Sequence, residues 1–480
     1  MADSTETITG AEGESRGMPG QRNSLRLRTA WHRARSAASL LALLSCVTAA
    51  TGTATSPASA GAVAAGIVEP VPAVSGNVSA VILPSPLPTT QCVQQLGVRC
   101  YSPLQYRVAY DLNELYRDRI TGAGRTIVVV DSFGSPTVQH DLDVFDAMWG
   151  LPATEVDIVR AGAIPPFDPG NPDMRSWANE STLDVEYAHA MAPDARIMLV
   201  ETPVDETEGV TGFPEMMTAE KQLIDAGVGD VISQSFGTAE ASFPGVDQGS
   251  YTSLLVLRYA FEAAARHHVA VLAASGDQGA GTYLADGSLT RGVNWPASDP
   301  LVIAVGGTRL DLDDSGARLG PDSVWNDGGG AGGGGLSSVF ERPAFQDRVK
   351  GVVGDQRGLP DVSASAAHDG GAWVYTSYDA AHTGWRIFGG TSEATPLFAA
   401  VIALADQAAG HRVANVDETL YRLAATRCAT DSGIVDITNG DNNYQTIAGY
   451  SAAPGYDLAS GLGTFDAAAL VRALAHQSDQ

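Results

Sequence analysis

Four patterns in this 480-residue chain carry side chains able to do chemistry. In Gly389-Gly390-Thr391-Ser392-Glu393-Ala394-Thr395-Pro396, glycines allow a close backbone approach and Ser392 stands just before the apolar run Leu397 to Leu404. A serine at a helix start either caps the orphan N–H groups of the first turn or acts as a nucleophile. As a nucleophile it uses the same N–H groups and the helix dipole to favour nearby negative charge. The segment itself does not choose. Glu180 and Asp184 lie four residues apart on a helix that Pro193 must end, and Leu183, Tyr187 and Ala190 form its apolar stripe. That spacing puts both carboxyls on one face. In water they form an acidic surface near a helix start; buried, they share a proton and titrate as a pair, as a general base requires. Asp277, in Ser275-Gly276-Asp277-Gln278-Gly279, is either a turn aspartate or, while protonated, a hydrogen-bond donor to an oxyanion. Finally, Asp436 and Asp457 stand on glycine-rich loops with backbone carbonyls nearby, which suits Asx turns or a hard cation such as Ca²⁺.

The elements that must position these groups are legible as alternating patterns. Thr126 to Asp131, Arg196 to Val200, Asp230 to Ser233, Val269 to Ala274 and Leu301 to Val305 are short, continuous, β-branched runs. Helical segments around 182–191, 214–226 and 250–267 separate them. The expected class is α/β, a parallel sheet with helices on both faces and its site at the carboxyl ends of the strands. Gly328 to Gly335, interrupted only by Ala331, reads as a loop. Asp131 reads as a strand-end turn residue and His189 as a core or interface histidine. His267-His268 lacks ligand spacing.

Composition narrows the class. A formal charge of −26 excludes nucleic acid as a partner, since that needs a concentrated basic surface. A hydrophobic content of 44% supports a large core, and no apolar stretch beyond residue 60 is long enough to span a bilayer. Five arginines from Arg22 to Arg35, the apolar run Ala37 to Ala50 and Ala58-Ser59-Ala60 make residues 1–60 a secretory signal peptide, with Met18 an alternative start. Leu43-Leu44-Ser45-Cys46 offers a weaker lipoprotein alternative. Residues 61–90 read as a Pro/Ala/Ser-rich linker or short pro-segment, and 91–480 as the folded domain. Cys92 and Cys100 are spaced for a small disulfide loop, and Cys428 reads as a buried thiol.

Together these segments resemble the sedolisin family, serine-carboxyl peptidases with the subtilisin fold. The likeness rests on Gly390-Thr391-Ser392 with Pro396, on Glu180 with Asp184, and on Ser275-Gly276-Asp277. It extends through Ser233 to Gly237, Asn294 to Ala297, Ala304 to Thr308, Gly332 to Pro343 and Pro360 to Ala364. The family's usual serine before the Gly-Thr-Ser is Gly389 here. The resemblance implies a subtilisin-like parallel sheet and a peptidase acting on polypeptides in acid, as a secreted monomer. Ser392 would be the nucleophile, Glu180 its base, Asp184 the orienting group and protonated Asp277 the oxyanion donor. It also implies one structural Ca²⁺ held near 430–465 by the side chains of Asp436 and Asp457 and the carbonyls of Ile437, Ala453 and Gly455. Family members carry a domain-sized propeptide, which residues 61–90 are too short to form. Endopeptidase and tripeptidyl-peptidase activity both remain open. Two alternatives stand beside this expectation: a subtilisin-type Ser-His-Asp protease, for which Asp131 resembles the triad aspartate although no histidine has the matching surroundings, and a catalytically silent extracellular Ca²⁺-binding module.

Overall fold

The computed structural model describes residues 81–204, 211–284, 286–425 and 432–477. The signal-peptide segment, the linker as far as residue 80 and Cys428 lie outside the described residues. One sheet organises the rest. It comprises β1 (Thr126–Ser132), β2 (Asp157–Arg160), β3 (Arg196–Thr202), β4 (Val231–Gln234), β5 (Ala270–Ala274), β6 (Ile303–Arg309), β7 (Ser323–Val324) and β8 (Val362–Ser365). Their order is β7-β6-β5-β4-β1-β3-β2, with β8 also on β6. Every ladder is parallel except that of the short strand β7 on β6. The five β-branched runs are β1, β3, β4, β5 and β6; the last begins two residues later than its apolar run and continues to Arg309.

Alternation within the strands builds two cores. Ile127, Val129, Ile197 and Leu199 face one side, packed with α1 (Val138–Trp149), α2 (Pro172–Met191), and the C-terminal part of the chain. Val128, Val130, Met198 and Val200 face the other, packed with α3 (Phe213–Asp225) and α4 (Tyr259–His267). Each such side chain contributes about 1.5–3 kcal/mol by leaving water.

Two helices carry the chemistry. Asn171 caps α2 by accepting from the N–H groups of Asp173 and Met174, with Pro172 at the first helical position, where its missing N–H costs nothing. From Trp177 to Met191 every residue of α2 is buried, so its polar side chains are buried too. The second is α5 (Thr391–Ala409), buried from Thr391 to Asp406 and packed on α2, on the sheet and on α6 (Ala467–Gln477).

The folded part begins earlier than residue 91. Leu83 and Trp385 exchange backbone hydrogen bonds at 2.9 and 2.8 Å, and the Trp373 indole donates to the Leu87 carbonyl. Leu83, in the stretch read from sequence as linker, is thus docked on the strand Gly384–Phe388 that leads to Ser392, and Leu87 on its neighbour Gly371–Thr376. Cys92 and Cys100 form a disulfide with Cα atoms 6.0 Å apart. Among the described residues no helix is long and apolar enough to cross a membrane.

Candidate active site

The start of α5 answers whether Ser392 is a cap. The cap position is Gly390, at φ 103°, a conformation that a side chain makes costly, and no side chain caps the helix. Ser392 is the second helical residue, and its hydroxyl faces the Glu180 carboxyl closely enough to favour the charged form of that group. Pro396 explains the next detail. It has no N–H to give the carbonyl four residues earlier, which is that of Ser392. That carbonyl accepts from the Ser235 hydroxyl at 3.3 Å, tying the nucleophile segment to the chain just past β4. Gly389 also has a local reason: a Cβ there would stand 2.8 Å from the Ala366 carbonyl oxygen and 3.1 Å from the His368 nitrogen.

Glu180 and Asp184 lie in the middle of α2 and are buried, which removes the solvent-face reading. Neither oxygen of Asp184 has a hydrogen-bond partner, and Glu180 Oε1 has none. Burial drives Glu180 well above the usual carboxyl range; the Ser392 hydroxyl opposes this, while Asp131 and Asp277 add to it. Asp184 is pushed up by burial, then by Glu180 and Asp131, with the Ser235 hydroxyl opposing.

Asp131 is therefore the third member of this cluster. It is the penultimate residue of β1, fully buried, with both oxygens unpartnered, and burial pushes it up to about 7 against the pull of the Ser181 hydroxyl. Sequence reasoning treated it as a turn residue, because an aspartate at a strand end looks the same in either role. Its advance signals were its place at the carboxyl end of the strongest strand and its likeness to a subtilisin aspartate. Three carboxyls in one desolvated pocket do not all ionise; their protons are shared.

On the other side of Ser392 stands Asp277, in the turn after β5. Its Oδ1 accepts from the Thr391 N–H at 2.8 Å and the Thr391 hydroxyl at 2.9 Å, and that hydroxyl accepts from the Gly276 N–H at 3.1 Å. Oδ2 takes no part in these bonds. The Ser392 N–H, in the first turn of α5, makes no hydrogen bond to a described residue. A protonated Oδ2 and this N–H are two donors beside one hydroxyl, the arrangement that stabilises an oxyanion. Burial raises Asp277, the two Thr391 bonds and His368 oppose, and Asp327 adds to the rise. His368 rests on Trp325, with ring centroids 5.4 Å apart and its Nδ1 3.8 Å from Asp327.

No described histidine hydrogen-bonds Ser392. His189 is buried on α2 but turned away, with Nε2 2.9 Å from the Pro152 carbonyl and 3.2 Å from Asp146. The arrangement has carboxyls where a Ser-His-Asp triad has an imidazole.

Asp436 and Asp457 come together on facing loops, and Asp457 adds to the raised pKa of Asp436, whose main cause is burial. Neither forms an ion pair with a described Arg or Lys. Asp436 Oδ2 accepts from the Gly455 N–H and Asp457 Oδ2 from the Ala453 N–H, each at 2.8 Å. The carbonyls of Ile437, Ala453 and Gly455 accept no hydrogen bond from described residues. Two uncompensated carboxylates with three open carbonyls are an all-oxygen donor set, which fits Ca²⁺. Among the described residues no group of three or more His, Cys, Asp or Glu side chains could hold a metal.

Comparison with known proteins bears on the family and the fold. Residues 172–450 match the model of the Subtilase family. Over 400 residues the chain is 33% identical to kumamolisin of Bacillus sp. (strain MN-32), covering 81% of this chain and 66% of that one. Over 381 residues it is 30% identical to sedolisin of Pseudomonas sp. (strain 101), covering 77% and 60%. The chain thus spans about two thirds or less of the length of these curated relatives. Among solved structures, Pseudomonas sedolisin, a serine-carboxyl proteinase complexed with two molecules of pseudo-iodotyrostatin, is similar at a TM-score of 0.67. The sequence identity is 27%, over 79% of this chain and 99% of that one.

Proposed function

This chain belongs to the sedolisin branch of the subtilase family, and from that premise we propose that it is a secreted serine-carboxyl peptidase working in acid. The observation that carries the reading is the start of α5, where Thr391 holds the Asp277 carboxyl at 2.8 and 2.9 Å and the Ser392 hydroxyl faces the buried Glu180 carboxyl. Ser392 Oγ attacks the carbonyl carbon of a peptide bond while its proton passes to ionised Glu180. Asp184 and Asp131 hold the remaining protons of the cluster and keep Glu180 in place. The oxyanion is met by the Asp277 hydroxyl at Oδ2 and the Ser392 N–H. Glu180 then returns the proton to the leaving amine, and water resolves the acyl-enzyme by the same steps in reverse.

Acid suits this chemistry for a physical reason. A histidine base, with a pKa of about 6.5, is almost wholly protonated at pH 4, whereas a carboxyl cluster that has given up one of its shared protons presents an ionised oxygen to Ser392. Asp277 must keep its proton to donate, so activity falls as pH rises through its raised pKa. Ca²⁺ would be held by Asp436, Asp457 and the carbonyls of Ile437, Ala453 and Gly455, where its charge offsets two carboxylates and stiffens their loops. Secretion rests on the arginine-led apolar run and Ala58-Ser59-Ala60.

The test is hydrolysis of denatured protein at about pH 4 by the chain cut after Ala60, beside Ser392→Ala. Cleavage lost in the variant supports the reading. Equal activity in both, or none in either, removes it.

A further inference from the structure

Behind the Asp277 turn lies one buried side chain that the chemistry above does not use. Asn442 is fully buried in the loop between the two segments that carry Asp436 and Asp457. Its Nδ2 donates to the Gly332 carbonyl at 3.1 Å and the Leu458 carbonyl at 3.4 Å, and its Oδ1 accepts from the Tyr450 N–H at 2.7 Å. Two carbonyls on one side and an N–H on the other fix which way the amide faces. Its own carbonyl accepts from the Ala280 N–H at 3.2 Å, and its N–H donates to the Tyr450 carbonyl at 3.0 Å. Every polar atom of the residue is used.

The two segments it joins are those that grip the Asp277 turn. The glycine-rich loop donates from Ala331 to the Asp277 carbonyl at 3.0 Å and from Gly333 to the Gly276 carbonyl at 2.7 Å. Gly332 lies between those donors, and it is Gly332 that Asn442 holds. Ala280, held by the Asn442 carbonyl, is three residues past Asp277. The backbone of the turn is thus clamped on both sides, and Thr391 clamps the Asp277 carboxyl.

We propose that Asn442 is a positioning residue for the oxyanion donor: by fixing Gly332 and Ala280 it sets where Asp277 Oδ2 stands relative to Ser392. This rests on the peptidase reading and adds to it a residue that touches neither substrate nor nucleophile. No shorter side chain spans from Tyr450 to both carbonyls, and loosening an oxyanion donor acts on the transition state more than on substrate binding.

The experiment measures kcat, KM and inhibition by the aldehyde analogue of a cleaved peptide, whose adduct with Ser392 places an oxygen against Asp277. Wild type, Asn442→Ala and Asn442→Asp are compared at pH 4 and pH 6. Asn442→Ala is expected to lower kcat about 10- to 100-fold, leave KM within about twofold and weaken the aldehyde in step with kcat. Asn442→Asp is expected to restore most of kcat at pH 4, where a protonated carboxyl still donates to Gly332, and to lose it by pH 6 more steeply than wild type. A folded Asn442→Ala with wild-type kcat overturns the proposal, as does a loss that falls on KM and spares the aldehyde. If the alanine variant does not fold, Asn442→Asp decides alone: a pH dependence parallel to wild type overturns the proposal. An inactive wild type overturns the peptidase reading itself and this inference with it.

Discussion

Replacing Asp277 separates its two jobs. Its Oδ1 satisfies the Thr391 N–H and hydroxyl at 2.8 and 2.9 Å, and its Oδ2 is the atom left to meet an oxyanion. Asp277→Ala removes both. Loss of one oxyanion donor lowers kcat about 10²- to 10³-fold, some 2.7–4 kcal/mol of transition-state stabilisation. Orphaning the buried Thr391 N–H at the start of α5 costs about 1–3 kcal/mol of stability as well, partly relieved because the Thr391 hydroxyl keeps the Gly276 N–H. Asp277→Asn keeps both jobs: its oxygen accepts from Thr391 and its amide donates, at every pH. The sign of the pH effect follows. In the wild type donation needs a proton, so kcat falls as pH rises through the raised pKa of Asp277; in Asp277→Asn that limb is absent. The assay is kcat against pH on one peptide, with thermal melts to show both variants folded. Asp277→Asn should stay within about tenfold of wild type at pH 4 and decline less towards neutrality. A folded Asp277→Asn as impaired as Asp277→Ala, or an Asp277→Ala with near-wild-type kcat, would refute the reasoning.

Three further outcomes follow from the same geometry. Asp131→Asn removes a group that pushes both Glu180 and Asp184 up, so the acid limb of kcat/KM, which reports ionisation of the base, should move to lower pH by about one unit; an unmoved or raised limb contradicts the three-carboxyl cluster. Chelation with EDTA, or Asp457→Asn, should lower Tm by several degrees, since an ion bound at 100 times its Kd contributes about 2.7 kcal/mol; a Tm indifferent to added Ca²⁺ contradicts the site. Stability itself should be greatest in acid. Buried Glu220, held by Gln234, is pushed up to about 8, and Asp406, despite its bond from the Val413 N–H, to about 7. Both are protonated when folded yet ionise near pH 4 when unfolded, so their contribution is full below pH 4 and is lost as pH rises to 7–8. A Tm that climbs between pH 4.5 and 8 would contradict this.

Much of this was legible because the chemistry sits on elements with strong patterns. The strand runs that became β1 and β3 to β6 are apolar on both faces, and only a sheet covered on both sides produces that. The i, i+4 carboxyl pair kept its meaning once Pro172 and Asn171 proved to start α2 well upstream, which moved Glu180 from a helix start into a buried middle. Ser392 could not be resolved locally: cap and nucleophile share a residue type and a position, and only the Gly390 backbone and the Glu180 contact separate them. Asp131, legible only as a subtilisin-like aspartate lacking its histidine, and Asn442, not legible at all, escaped for a different reason. Each acts through neighbours distant in sequence, Asp131 through a helix some fifty residues on and Asn442 through a loop more than a hundred residues back. Nothing in their own surroundings distinguishes them from turn residues.

The central claim is that a carboxyl, not an imidazole, takes the proton from Ser392. It is tested most directly by the pH profile of kcat/KM for wild type beside Glu180→Gln. The account predicts an acid optimum in the wild type, activity that declines before neutrality, and a loss in Glu180→Gln of at least about 10²-fold across the profile. An optimum at or above neutrality, or a Glu180→Gln variant that cleaves as well as wild type, would contradict it.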